Sequence, residues 1–134
     1  STNYDESDVG TQFLAASTEW IRRFNMGDFK YIVNAYLPTA KLYARNASVP
    51  SLPLVGREKI GEFWNNFYKT TGATNLIYYD RKITVTGPSS GESSSRWTMN
   101  VGDGFIDKET WMKNNETGIW LLAFEDFTVE QNYR

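Results

Sequence analysis

Acid–base chemistry in this chain has few places to come from. The sequence holds no His and no Cys, which removes together the side chain that titrates near neutrality, the thiolate nucleophile and the commonest zinc ligands. Carboxylates, Lys and Tyr remain. No run of Asp has calcium-loop spacing, and Gly102-Asp103-Gly104 lacks the glycine spacing, the Lys and the following helix of a phosphate loop. That tripeptide reads as a tight turn or bulge, and no metal or cofactor is expected. A carboxylate works as an acid near neutral pH only if its pKa is raised, and burial against apolar side chains raises it. In the segment Gly118 to Glu130, strict alternation puts Glu125 on one face with Leu121, Ala123 and Phe127, and turns Trp120, Leu122, Phe124 and Asp126 the other way. If the turn Asn114 to Gly118 sets odd positions against odd, Glu109 and Trp111 of the preceding strand share that side, and two carboxylates there push their pKa values apart. A slip of one residue instead turns Glu109 into solvent. One strand earlier, Arg96, Thr98 and Asn100 alternate with Trp97, Met99 and Val101, a polar set that is either a pocket wall or a solvent face.

The elements that must position these groups are legible as periodicities. Phe13, Ser17, Trp20, Ile21 and Phe24 recur at helical spacing opposite Glu19, Arg22 and Arg23, which predicts an amphipathic helix over Ser7 to Met26, ended by Gly27. Asp28 caps a short second helix whose apolar face is Phe29, Ile32, Val33 and Tyr36, before Pro38 interrupts it. Ala40 to Arg45 follows as a strand and Ser48 to Pro53 as a loop. Gly56-Arg57-Glu58 opens a third helix with Ile60, Phe63, Trp64, Phe67 and Tyr68 on one stripe and Gly72 at its end. Strands are then expected over Asn75 to Thr86, Ser94 to Val101, Phe105 to Asn114 and Gly118 to Glu130, with a turn or mobile loop at Gly87 to Gly91. Helices followed by closely connected strands predict an α+β domain, three N-terminal helices packed on one face of a curved antiparallel sheet.

At 134 residues the chain has room for one core. Residues 1–10 read as a polar, poorly ordered lead-in and 11–134 as the single domain. Aromatic residues make up 16%, too much apolar bulk for a disordered chain. A net charge of −2 with the two signs interspersed leaves no basic face for nucleic acid. No apolar run approaches the ~20 residues that span a bilayer, so no membrane partner is expected. A chain starting at Ser1 without Met is compatible with a removed tag or signal peptide; the compartment stays open, with the cytoplasm favoured. The sequons Asn46-Ala-Ser48 and Asn115-Glu-Thr117 are matched by chance in a chain this rich in Asn, Ser and Thr.

Four stretches together resemble the nuclear transport factor 2-like superfamily, which includes ketosteroid isomerase, the SnoaL-type polyketide cyclases and limonene epoxide hydrolase. They are Trp-Ile-Arg-Arg-Phe-Asn-Met-Gly-Asp-Phe at 20–29, Ala-Tyr-Leu-Pro-Thr-Ala-Lys-Leu-Tyr at 35–43, Pro-Leu-Val-Gly-Arg-Glu-Lys-Ile-Gly-Glu-Phe-Trp at 53–64, and the final Trp-Met-Lys-Asn-Asn-Glu-Thr-Gly-Ile-Trp-Leu-Leu-Ala-Phe-Glu-Asp-Phe at 111–127. The resemblance implies a conical roll in which a bent sheet wraps the first helix around an apolar cavity, usually in a homodimer. Fold does not convey function, so the site is carried over residue by residue. Where ketosteroid isomerase has its first-strand carboxylate this chain has Ala44, and its helix Tyr is replaced by Trp20, which excludes that chemistry. The lack of His likewise excludes a scytalone dehydratase type of mechanism.

Glu125 falls where the SnoaL-type cyclases and limonene epoxide hydrolase place a catalytic Asp, and is the leading catalytic candidate, with Glu109 or Arg96 tuning its charge. Trp20, Phe63, Trp64, Phe67, Trp111, Ala123 and Phe127 are expected to supply ligand-binding walls, Asn100 or Tyr43 to orient a polar group, and Arg96 to contact the ligand. The bland reading puts Glu125 at the cavity mouth or in an ion pair with Arg96 or Lys113. The expected function is a pocket protein for a small, mostly apolar molecule, acting as a cofactor-free isomerase, cyclase or hydrolase. The alternative is a non-catalytic binding or dimerisation domain. A cavity of roughly 300 Å³ or more holding Glu125 marks the first reading, and a plugged cone with Glu125 in solvent marks the second. Outward-facing Trp120, Phe124 and either Trp97 or Trp111 would form an apolar patch, which points to a homodimer through the sheet face.

Overall fold

Asp5 starts the first helix: its side chain accepts hydrogen bonds from the backbone N–H groups of Ser7 and Asp8, donors that a helix N-terminus otherwise leaves unpaired. The computed structural model describes residues 3–46 and 51–133. In it α1 (Glu6–Met26) ends at Gly27, whose φ of 74° is the left-handed conformation favoured by glycine. The helix therefore begins inside the expected lead-in, with Val9 and Gly10 buried. Ser1 and Thr2 lie outside the described residues.

Asp28 caps α2 (Phe29–Asn34) through the N–H of Tyr31. Tyr36, expected on the apolar face of this helix, instead opens β1 (Tyr36–Asn46). The reason is Pro38, which holds the residue before it extended and so stops the helix ahead of itself. Ser51–Pro53 carries no regular structure, whereas Ser48–Pro50 and part of the Asn46 sequon lie outside the described residues. A two-residue strand, β2 (Leu54–Val55), pairs with β1 and was too short to show in the sequence. After α3 (Arg57–Thr71) the chain runs through β3 (Ile77–Gly87), β4 (Ser90–Met99), β5 (Gly102–Lys113) and β6 (Trp120–Asn132).

The strand order is β2-β1-β6-β5-β4-β3. Successive hairpin reversals bring β6 alongside β1 pointing the same way. That pair is parallel while the others are antiparallel, so the curved sheet is mixed. The helices cover one of its faces. Phe13, Trp20 and Phe24 from α1 and Ile60 and Trp64 from α3 meet Leu42, Ile106, Leu122 and Phe127 from the sheet. Each such side chain contributes about 1.5–3 kcal/mol when fully buried. Trp97, Trp111 and Trp120 belong to this same core at 5%, 2% and 8% exposure, so they do not build the outward patch expected of them. Phe124 alone stays on the other side, half-buried, with its ring centroid 5.8 Å from that of Tyr43.

Backbone crowding is greatest where β5 meets β6. A Cβ added to Gly104 would lie 1.9 Å from the carbonyl oxygen of Thr128 and 3.0 Å from the Trp97 ring, whereas one on Gly72, at φ 64°, would meet nothing. Gly104→Ala is therefore expected to cost about 3 kcal/mol or more, and Gly72→Ala about 1 kcal/mol from backbone strain. Urea unfolding of the two variants checks the order, and a smaller loss at Gly104 would contradict the close strand contact.

Candidate active site

A strand's alternation survives only until an extra residue is inserted, and β1, β3, β5 and β6 carry such insertions while β4 alternates without one. Between β5 and β6, Thr110 pairs with Phe124 and Trp111 with Leu122, which leaves Ala123 as a bulge. Trp120 and Leu122 point into the core before it, Glu125 and Phe127 after it. In β3, Tyr79 pairs with Arg96 and Lys82 with Ser94. The extra residue is accommodated by Asp80 at φ 51°, a left-handed value that Asp tolerates better than most side chains. This bulge aims Arg81 inward.

Under α1 and α3 the roll encloses a cavity of about 210 Å³. Its walls are Trp20 and Phe24 from α1, Phe63, Trp64 and Phe67 from α3, and Ala44, Tyr78, Trp97, Ile106 and Phe127 from the sheet, with Leu76, Met99 and Val129 completing the lining. Arg45 and exposed Asn46 stand at its rim. Glu125 is the one carboxylate among the described lining residues, and it is 2% exposed.

Two hydrogen bonds in series fix its orientation. Trp64 Nε1–H donates to the Tyr36 hydroxyl oxygen at 2.9 Å, and the Tyr36 O–H donates to Glu125 Oε1 at 2.6 Å. Because the indole takes the phenol's lone pair, the phenol proton must point at the carboxyl. Oε2 is left for a proton or a ligand. Burial pushes the Glu125 pKa up from 4.5 to about 8; the nearby Glu109 charge adds to the rise, and the Tyr36 hydrogen bond opposes it. Burial also raises the Tyr36 and Tyr78 phenols well above their usual range. At neutral pH Glu125 is thus a neutral acid able to give its proton to a bound molecule and take one back.

Glu109 is the Cα partner of Glu125 and is likewise 2% exposed, so the solvent reading of this residue does not hold. It does not line the cavity but sits behind the wall. Its Oε1 accepts from Trp111 Nε1 at 3.0 Å, Ser93 Oγ at 3.3 Å and Arg81 Nη2 at 3.4 Å, and its Oε2 from Tyr78 Oη at 3.1 Å. Arg81 Nη2 also reaches Ser17 Oγ of α1 at 2.6 Å. The two carboxyl groups are handled differently: Glu109 is matched by a cation and neutral donors, Glu125 by a proton.

Of the expected ligand-binding residues, Trp20, Phe63, Trp64, Phe67 and Phe127 lie on the cavity wall. Five do not. Trp111 is spent on Glu109, and Ala123 is displaced by the bulge that it forms. Tyr43 sits beyond the wall against Phe124 and beneath the Arg45 guanidinium, 4.5 Å from its ring. Arg96 is on the outer face, bonded to Glu130 and Tyr79. Asn100 caps a turn, accepting from Thr74 N and donating to Gly72 O. Neither ion pair considered for Glu125 forms, since Arg96 takes Glu130 and Lys113 donates to Gln12. Tyr36, Tyr78, Arg81 and Trp97 were missed. Pro38 gave a signal for Tyr36, whereas the β3 bulge left none for Tyr78 or Arg81.

The raised pKa makes a stability prediction. In the folded chain Glu125 keeps a proton that the unfolded chain releases near pH 4.5, so this contribution is full below that value and is lost as pH climbs to about 8. At about 1.4 kcal/mol per unit this amounts to a few kcal/mol. Glu125→Gln lacks the loss and should gain stability relative to the parent between pH 5 and pH 8 in urea unfolding. Glu109→Gln removes the neighbouring charge, so the fall should start at the same pH but end at a lower one and be smaller. Parallel pH profiles for parent and Glu125→Gln would contradict the assignment.

No family profile matches the sequence, and no curated protein matches it. Solved structures do resemble the fold. An uncharacterised protein with a cystatin-like fold from Caulobacter vibrioides superposes with a TM-score of 0.75 at 11% identity, covering 92% of this chain and 91% of its own. A putative scytalone dehydratase from Novosphingobium aromaticivorans gives 0.73 at 10% identity, with 94% and 89% covered. A protein from Catenulispora acidiphila in complex with S-DNPA gives 0.71 at 13%, with 92% and 94% covered. Likeness at such identities speaks to architecture, and on it the chain has the cystatin-like, nuclear transport factor 2-like fold that its sequence segments resemble.

Proposed function

We propose that this chain binds a compact, mostly apolar molecule in the hollow under α1 and α3 and carries out cofactor-free acid–base chemistry on it, with Glu125 transferring the proton. The observation that carries the reading is a lone carboxyl on an otherwise apolar wall, with its pKa lifted to about 8. Such a value lets one group serve as acid and base in turn near neutrality. Tyr36, held by Trp64, orients the carboxyl; Glu109, held by Arg81, supports its proton; Trp20, Phe63, Phe67 and Phe127 exclude water. Of the neighbours in fold, one is named for a dehydratase and another holds a small molecule, which supports the small-molecule reading. At about 210 Å³ the hollow holds Glu125 but falls short of the roughly 300 Å³ expected of the ligand reading, so the ligand it supports is small, of one or two rings. The signs expected of a purely structural cone, a filled hollow and Glu125 in solvent, are absent among the described residues.

The test uses a panel of one- and two-ring compounds incubated with the protein in heavy water, each scored by mass for deuterium wash-in or added water. Glu125→Gln should lose turnover while keeping its fold and its affinity for the same compound. Turnover retained in that variant would remove Glu125 from the role, and binding without turnover in the parent would return the chain to a binding protein.

A further inference from the structure

The hollow has a direction, and the strand register gives it. Between Lys41 and Asn46, β1 runs beside residues 124–129 of β6 without a break. Leu42 with Glu125, Ala44 with Phe127 and Asn46 with Val129 are therefore successive pairs on one inward face. Glu125 lines the hollow at the first pair, whereas Leu42 beside it and the Tyr36 phenol that holds its carboxyl are fully buried and outside the lining. That end is closed. At the third pair Val129 is half-buried and Asn46 is exposed, which places the rim there. With pairs about 7 Å apart along the strands, Glu125 stands at the floor, roughly 13 Å from the rim.

Ala44 holds the middle. Among the described lining residues it alone has a side chain that ends at Cβ, and all the others are larger. Its partner Phe127 is held from the helix side by Trp64, with ring centroids 5.6 Å and planes 23° apart, and by Phe63 at 6.4 Å. Room at mid-depth therefore depends on the small residue beside it. Polarity is graded along the same line. Oε2 of Glu125, left open by the Tyr36 hydrogen bond to Oε1, offers a partner at the floor, and the side chains of Ala44, Phe127 and Val129 above it offer none.

We propose that the ligand binds head first, its reacting polar atom against Glu125 and a single flat ring at the level of Ala44, and that Ala44 limits substituents on the ring to the position opposite that atom. This inference rests on the hollow being a ligand pocket and states which shape the pocket selects. A polar atom buried without a partner is costly, so the ligand's own is drawn to the floor. A ring attached to it then centres about two residues along the strands, beside Ala44 and Phe127. A substituent on the far side of the ring points to Val129 and the rim, whereas one next to the polar atom runs into the walls that enclose Glu125. The strongest competitor is the reverse pose, with the polar atom in water at the rim and the apolar end at the floor. Against it, such a ligand would leave Oε2 of Glu125 buried without a partner.

Phenols test this, because a hydroxyl both donates and accepts and so pairs with Oε2 in either protonation state of Glu125. Calorimetric titration of the full chain at pH 7 compares 4-methyl-, 4-ethyl- and 4-propylphenol with 2-propylphenol. Along the 4-alkyl series each added carbon should tighten binding by up to about fourfold, the value of a buried methylene. The isomer 2-propylphenol, of the same composition as 4-propylphenol, should bind roughly tenfold or more weakly than it. In Ala44→Leu the whole 4-alkyl series should lose roughly tenfold or more, and in Val129→Phe the loss should grow from methyl to propyl. The reverse pose gives the opposite assignment, with Val129→Phe weakening all members alike and Ala44→Leu chiefly the longest. That pattern, equal binding of the two propylphenols, or unchanged affinities in folded Ala44→Leu would overturn the inference and leave the pocket standing. The comparison of isomers uses the parent alone, so it decides even where Ala44→Leu does not fold. Binding of none of the four to the parent would remove the pocket reading and this inference with it.

Discussion

Two carboxyl groups on adjacent strands, Glu109 and Glu125, face the same dry interior, and the structure has to solve that electrostatic problem before anything else. An ionised carboxylate in an apolar medium is prohibitively unstable without compensation. Glu109 receives a guanidinium and neutral donors, while Glu125 retains its proton. The division of labour follows from position: Arg81 reaches Glu109 from the edge strand, whereas Glu125 faces the aromatic hollow with one phenol for company. Like charges side by side then reinforce the difference. A buried ion pair of this kind adds little stability in itself, and loss of one partner typically costs about 3–5 kcal/mol. Its retention in a small core is easier to understand as support for the state of its neighbour.

The bulges are what make this arrangement possible. The insertion at Ala123 turns Glu125 inward while leaving Trp120 and Leu122 inward as well, so one strand feeds the core from Trp120 to Thr128. The insertion at Asp80 sends Arg81 under the sheet to a carboxylate two strands away. Strand bulges commonly re-aim a side chain near a functional site. Here two of them converge on the same pair of carboxyl groups. The cavity itself is a by-product of curvature. The bent sheet stands away from α1 and α3, and Ala44, where a larger side chain would reduce the space, lies on the wall.

Much of this was legible beforehand. Helical periodicity with Gly27 and Gly72 as stops places α1 and α3 within a residue or two, and the switch to β-branched and aromatic runs places the sheet. Glu125 and the aromatic wall from α1 and α3 follow from spacing and from the family resemblance. What could not be read was parity. Alternation inverts across a bulge, and counted from Glu125 it holds toward the C-terminus but fails from Ala123 back to Trp120, which is why Ala123 was set on the wall and Trp120 off it. Asp80 and Arg81 show no sequence mark of their insertion, so the cation near Glu125 was sought at Arg96, whose side chain in fact lies on the outer face. Tyr36 was hidden differently, by a short helix whose apolar period was carried on to it, two residues short of Pro38. Hydrogen-bond partners of a buried carboxyl come from distant segments, here separated by 89 residues for Tyr36 and Glu125, and local patterns carry no information about such pairs.

The whole account turns on Glu125 being an uncharged carboxylic acid in its resting state. Infrared difference spectroscopy between parent and Glu125→Gln reads this directly, because a protonated carboxyl has a carbonyl stretch well separated from carboxylate bands. The account predicts such a band in the parent at pH 7, lost in the variant and fading as pH rises through about 8. A parent spectrum at pH 7 with only carboxylate signals at this residue would contradict it.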